Sequence, residues 1–559
     1  MNRPVQYVLS VAKKVFHRMQ KNRRDQMLAI GTFVFLLFFR QFSARANVYA
    51  TDIRVNGSLM GGARSTADQT TISYILNDDA TAGVSIQIKS GTNVVWTNSL
   101  PAATNGTWAG LNSIVWNGTN NAGTNVVPGT YTVCITAASK GYSSWTNITD
   151  DGPNFTVLAP RGVGVNQNTN SPYYGRVFVS CVAPAFTIFK ANADGSPGDE
   201  GASNPGGAYP TNLTWGNGLG VNMFYSPWKI AVAPNDKVYI DDFSGDGFVY
   251  AFDETITNYQ DALRFDNYPS ANPALSGLCI TGSGTNEFIW MTDENPTAST
   301  GITQWALMSD GTVATNDTGT TIVTATNNSG LTLAPYDISI DTNGNMYTIQ
   351  YLTNSSPSNA AVMSFPPYPG YPETNATWAV GAGNPNFQEA YGISVDRSAT
   401  YVAVAFRGTA ISDPTQHTGM LGLFYATNGQ FFTNLDETGG DQYTDVAWDN
   451  IGNLYALDTT SNVWRAYSPP GSNQATTVAV PIIEAYSSFT PPLLESADLS
   501  TNGISFTLEG QSYVTYWIEQ SPDLMNWTSV ATNFSADADR RICIPFADNQ
   551  DFYRAVAPP

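Results

Sequence analysis

Apolar and polar positions alternate with a period of two through "TTISYILNDDATAGVSIQIKSGTNVVWTNSL" (70–100), and again through "GTYTVCITAAS" (129–139). A period of two places successive side chains on opposite faces of a strand, so these stretches are predicted as half-buried β-strands. In the second stretch Tyr131, Val133 and Ile135 share the buried face. Asn117-Gly118 and Pro128-Gly129 supply turns between the strands. An all-β sandwich is expected over 47–158.

From about 160 onward the pattern repeats. Five segments superpose: "PWKIAVAPNDKVYIDDFSGDGFVYAFD" (227–253), "LSGLCITGSGTNEFIWMTD" (275–293), "PYDISIDTNGNMYTIQY" (335–351), "AYGISVDRSATYVAVAF" (390–406) and "YTDVAWDNIGNLYALDTTSNVWRAYS" (443–468). Each has a short apolar strand, a polar turn and a second strand, usually with Tyr. A looser copy, "RGVGVNQNTNSPYYGRVFVSC" (161–181), precedes them. With Ile230, Leu278, Ile338, Ile393 and Val446 as equivalents, the steps are 48, 60, 55 and 53 residues. Four short strands and their loops need about 50 residues. Such a sheet cannot bury both faces alone, and packing several in a ring buries them mutually. The expected fold class is therefore all-β: an N-terminal Ig-like β-sandwich (47–158), a central six-bladed β-propeller (159–485) and a small C-terminal β-sandwich-like module (486–559).

Three resemblances accompany this reading. The repeats "PYDISIDTNGNMYTI" and "YTDVAWDNIGNLYALDTTSNVWRAY" resemble NHL-type and gluconolactonase-like six-bladed propellers over roughly 160–485. Trp116-Asn-Gly-Thr, Ala122-Gly123 and Pro128-Gly-Thr-Tyr131 resemble the Ig-like domain of the flagellar hook-capping protein. "YWIEQSPDLMNWTSV" and the terminal "FYRAV" resemble a module at the C-termini of large exported bacterial proteins, in which Trp517 and Trp527 are expected in the core. The gluconolactonase resemblance implies one divalent cation, held at the channel mouth by Glu, Asn and Asp, that activates water. That family's early Glu-Gly-Pro-x-Trp signature is missing. The nearest region, "NPGGAYPTNLTWGNG" (204–218), has no glutamate, and Asp341 and Asp449 match the repeat's turn instead.

The N-terminus changes the address of the chain. A basic leader precedes the apolar run "LAIGTFVFLLFF" (28–39) and the small-x-small "ARA" (44–46). Twelve apolar residues fall short of the roughly 20 a membrane-spanning helix needs. Residues 1–46 therefore read as a signal peptide and the protein as exported: periplasmic, surface-bound or extracellular, with no transmembrane segment in the mature chain. An uncleaved anchor is the alternative. The remaining 16 basic and 44 acidic residues give a formal net charge of −28, which repels nucleic acid. Only 13% of residues are charged, while Asn, Thr, Gly and Ser abound, so strands and loops are expected with almost no helix.

Candidate chemistry is sparse. In "DDFSGDGFVYAFD" (241–253), Asp242, Ser244, Asp246, Gly247 and Asp253 fit the spacing of a twelve-residue calcium loop. The aligned repeats favour a sheet corner there, with a calcium held in the turn by Asp242 and Asp246 as the alternative. Beyond residue 46 the one histidine is His417, in an Asp413-bearing loop, so a Ser-His-Asp or Cys-His site would have to use it. No Gly-x-Ser-x-Gly elbow, phosphate loop or paired-Cys zinc spacing occurs. Of the four cysteines, Cys181 is in phase with Val177 and Val179, which suits a buried thiol or a bridge to Cys279. Inserts at 192–212 and 364–378 carry Tyr, Trp, Asn and Asp, which suit sugar or peptide ligands and equally suit plain solvated loops. The expected function is non-enzymatic binding or surface attachment, with polysaccharide or protein as partner. The alternatives are a metal-dependent gluconolactonase-like hydrolase and a structural envelope component.

Overall fold

The computed structural model describes residues 47–59, 61–65, 69–182, 187–198, 207–208, 213, 215, 226–243, 248–264, 267–268, 275–294, 301–324, 331, 335–350, 360–368, 376–382, 384, 387, 389–408, 419–436, 441–486, 493–500, 503–510, 515–522, 524–535, 541–544 and 552–556. These residues form β-strands and turns with no α-helix among them, and no helix long and apolar enough to cross a membrane.

Six antiparallel four-stranded sheets succeed one another along the chain. Their first strands are Pro160–Val165, Ile230–Val232, Leu275–Ser283, Pro335–Ile340, Ala390–Val395 and Tyr443–Trp448. Each first strand packs beside the next, and the sixth packs against the first, which closes a six-bladed β-propeller around a central channel. The aligned apolar positions of the repeats point between blades. Val446, for example, is buried with Ala403 and Leu421 of the preceding blade. The physical driver is the one the repeat implied: each blade buries its faces only against its neighbours.

Closure is not made by consecutive chain. The sixth blade has Tyr443–Trp448, Leu454–Asp458 and Val463–Ser468 from the repeat, but its outermost strand is Thr146–Asn147. The following segment continues along that edge through Ile148 N–H to Ala466 O (2.8 Å) and Val157 N–H to Asn462 O (2.8 Å). The blade boundary therefore lies before residue 159, inside the stretch assigned from sequence to the sandwich.

The other end of the ring is displaced in the same way. Gly471–Tyr486, read from sequence as propeller, runs antiparallel to Gly129–Tyr142. It joins the five-stranded sheet of the N-terminal module, which faces a three-stranded sheet of Ala50–Val55, Thr70–Leu76 and Gly110–Trp116. Between them lies one core containing Ile72, Tyr74, Ile86, Trp116, Tyr131, Val133, Ile135 and, from the returning strand, Ala479 and Ile483. Chain order and sheet membership thus differ. The propeller is inserted between two strands of the sandwich.

Near the C-terminus two three-stranded sheets share a small core of Phe506, Leu508, Tyr516, Ile518, Ile542 and Ile544. Trp517 and Trp527 do not belong to it. Strand alternation turns Tyr516 and Ile518 inward, so Trp517 faces the other way, and Trp527 lies beneath the Arg554 guanidinium at 4.2 Å.

Candidate functional site: the propeller channel

One residue before each aligned apolar position stand, in blade order, Gly162, Lys229, Gly277, Asp337, Gly392 and Asp445. Long side chains alternate with glycine around the ring. A Cβ on Gly392 would lie 2.6 Å from Asp445 Cα and 2.5 Å from its carboxylate. One on Gly162 would lie 2.8 Å from Lys229 Cα, and one on Gly277 2.9 Å from Asp337 Oδ1. Glycine at these positions is what lets three charged side chains enter the channel.

The three meet on its axis. Lys229 Nζ lies 3.0 Å from Asp337 Oδ2 and 2.6 Å from Asp445 Oδ1. It also donates to Tyr391 O at 2.7 Å and Thr444 O at 3.3 Å. Blades two, four, five and six are joined by one ammonium, and all three side chains are buried. The carboxylates also bind across blade seams: Ile393 N–H donates to Asp337 Oδ2 (3.1 Å) and Val163 N–H to Asp445 Oδ2 (2.8 Å). Burial disfavours the ammonium, but the two carboxylates outweigh it and hold Lys229 above the ordinary lysine range. Burial raises both carboxyls in spite of the lysine, Asp337 to about 7.

A second layer covers the triad. The strand register shifts at the residue before each ring position in five blades, leaving a β-bulge at Arg161, Ser276, Tyr336, Tyr391 and Thr444. Trp228 holds the same place in the second blade. Its ring lies 6.3 Å from both Tyr336 and Tyr391, which are 5.2 Å apart. Blades two, four and five are not all neighbours, so these rings meet across the axis.

On the other side of the triad is a cavity of about 530 Å³ that runs out to the turns after the first strands. Its wall at one level is Gly164, Ala231, Cys279, Ser339, Ser394 and Ala447. Blades three to five thus contribute a thiol and two hydroxyls, whereas blades six, one and two contribute only methyl groups or hydrogen. Gln167, Asn168, Asp341, Asp396 and Arg397 surround the mouth. Burial pushes the Cys279 thiol up to about 12, so it remains protonated.

Asp341 at the mouth and its repeat equivalent Asp449 are spent on their turns. Asp341 accepts the N–H groups of Asn343 (2.8 Å) and Asn345 (2.9 Å), and Asp449 those of Ile451, Gly452 and Asn453. Their assignment to the repeat's turn stands.

The described strands on either side of residues 244–247 pair with each other, Asp242 with Phe248 and Val238 with Phe252, while 244–247 lie outside the described residues. Asp242 and Asp253 lie at opposite ends of that hairpin. Asp242 is buried and takes a hydrogen bond from Ser226, while Asp253 is engaged by Thr255, Thr257 and Asn258. Asp246 and His417 lie outside the described residues, as does much of 192–212 and 364–378. Cys181 is a buried free thiol, and Cys279 is free. Sequence reading missed Lys229, Asp337 and Asp445 as a set. The signal was present as the column Lys, Gly, Asp, Gly, Asp beside the aligned apolar residues, but only ring closure brings alternate blades together.

No family model matches the chain, and no curated protein matches it. Among solved structures it is similar to the calcium structure of the Trichoderma reesei carbohydrate-active enzyme of family AA12 (13% identity, 59% of this chain and 96% of that one, TM-score 0.35). It is similar also to the apo soluble aldose sugar dehydrogenase of Escherichia coli (9% identity, 59% and 99%, TM-score 0.36) and to a glucose dehydrogenase (12% identity, 58% and 98%, TM-score 0.34). Likeness below a TM-score of 0.5 assigns no chemistry to this chain.

Proposed function

We propose that the chain is an exported, non-enzymatic binding or surface-attachment protein that receives one unit of a neutral, hydroxyl-rich ligand, such as a sugar of a polysaccharide, in the channel cavity. The observation that carries this is the two-sided wall: Cys279, Ser339 and Ser394 opposite Gly164, Ala231 and Ala447. A pyranose has the same division, hydroxyl groups at its edge and C–H groups on its face. The volume falls within the roughly 300–1,000 Å³ of small-ligand sites. The lining offers poor nucleophiles: the Lys229 amine is held as an ammonium and the Cys279 thiol remains protonated. Among the described residues no histidine lines the cavity.

Calorimetry against mono- and oligosaccharides tests this. Wild type is expected to bind, and Ala447→Phe, which fills the bare side of the cavity, to lose at least about tenfold in affinity with little change in melting. Sugar binding untouched by that substitution would place the site elsewhere. Silence across a broad glycan array would remove the reading.

A further inference from the structure

The gluconolactonase resemblance implies a divalent cation at the channel mouth; deeper in the channel, a point whose oxygens would suit such an ion is already occupied. Four oxygens from three blades converge on a single point of the axis: Asp337 Oδ2, Asp445 Oδ1, Tyr391 O and Thr444 O. Carboxylate and carbonyl oxygens are the donors that a hard cation such as calcium selects. The point is already taken by the Lys229 ammonium, 2.6–3.3 Å from all four. We infer that Lys229 is the resident cation of this propeller, a covalently tethered ammonium that closes the ring and excludes a divalent metal from the axis.

Three observations converge on this role. The first is reach: the lysine of blade two crosses the channel to blades four, five and six. The second is the paired glycines, since side chains at Gly162, Gly277 or Gly392 would press on the backbone or carboxylate of a triad member. The third is the outward use of the carboxylates. Each accepts a backbone N–H of the next blade, Ile393 or Val163, so neutralising them also secures two blade seams. A divalent ion beside the ammonium would suffer strong repulsion at low dielectric, and only displacement of the lysine would admit it.

Thermal unfolding in calcium and in chelator tests the inference on the full mature chain. The wild-type midpoint is expected to differ by less than about 1 °C between the two conditions. Lys229→Ala, which vacates the oxygen cage, is expected to melt lower in chelator and to recover by several degrees in millimolar calcium. Lys229→Met, which fills the cage without charge, is expected to melt lower and not recover. A wild-type midpoint that rises in calcium and loses that rise in Asp445→Asn overturns the inference. So does a folded Lys229→Ala that ignores calcium. Should neither lysine variant fold, terbium luminescence of the wild type sensitised by Trp228 decides. Emission abolished in Asp445→Asn refutes a resident ammonium, and its absence supports one.

Discussion

At the scale of single residues, burial of charge dominates. Asp241 is fully buried, and neither carboxylate oxygen has a hydrogen-bond partner. Burial, with Asp242, Asp337 and Glu294 adding to it, raises its pKa well above the ordinary carboxylate value. Asp241→Asn keeps the shape and removes the need to hold a proton. It is expected to stabilise the protein at pH 8 and to be nearly neutral at pH 5, which urea unfolding at the two values will reveal. Loss of stability at both would mean the carboxylate is paired after all. Gly392→Ala is the opposite case. Its Cβ would meet Asp445 backbone and carboxylate, neither of which can retreat, so a cost of about 1–3 kcal/mol is expected by the same measurement. A cost below about 0.5 kcal/mol would show slack in the ring.

Among elements, the closing strap matters most. Asp151, on the segment after Thr146–Asn147, accepts two hydrogen bonds from Arg465 (Nε, 2.9 Å; Nη2, 2.8 Å). The same guanidinium reaches Asp441 at 2.8 Å and Asp458 at 3.2 Å. Arg465 is nearly buried, whereas Asp151 is 39% exposed. Arg465→Met leaves Asp441 and Asp458 buried without their cation and is expected to cost about 3 kcal/mol, whereas Asp151→Asn should cost much less because water screens that pair. Equal costs would locate the latch in the strap rather than in the blade. The strap is reinforced by the strand Gly471–Tyr486, which leaves the last blade and returns to the sandwich sheet. Both chain ends of the propeller are therefore anchored.

For the whole molecule, the buried carboxyls set a pH trend. Burial raises Glu294 to about 7, Asp449 to about 6, and Asp241 further. Their unfolded values lie near 4. The folded state thus binds more protons between these limits, and this contribution to stability, complete below about pH 4, falls away as pH rises through 7. The high net negative charge acts in the same direction. The urea midpoint is expected to be higher at pH 5 than at pH 8, and a reversed order would mean that these carboxyls are ionised and compensated in the folded protein.

What the sequence determined by itself follows from local physics. Period-two alternation, turn residues and a repeat of about 50 residues were enough for strands, blades and their number, because each depends on neighbours a few residues away. The Asp341 and Asp449 turns and the paired strands Val238–Asp242 and Phe248–Phe252 were legible for the same reason. Tertiary structure alone decided three things. It assigned Thr146–Asn147 to the last blade and Gly471–Tyr486 to the sandwich, since pairing partners 320 to 356 residues apart leave no trace in a local pattern. It turned Trp517 away from its core through strand phase. And it brought Lys229, Asp337 and Asp445 to one point, because residues more than 100 positions apart meet only when a closed ring makes opposite blades neighbours across the axis.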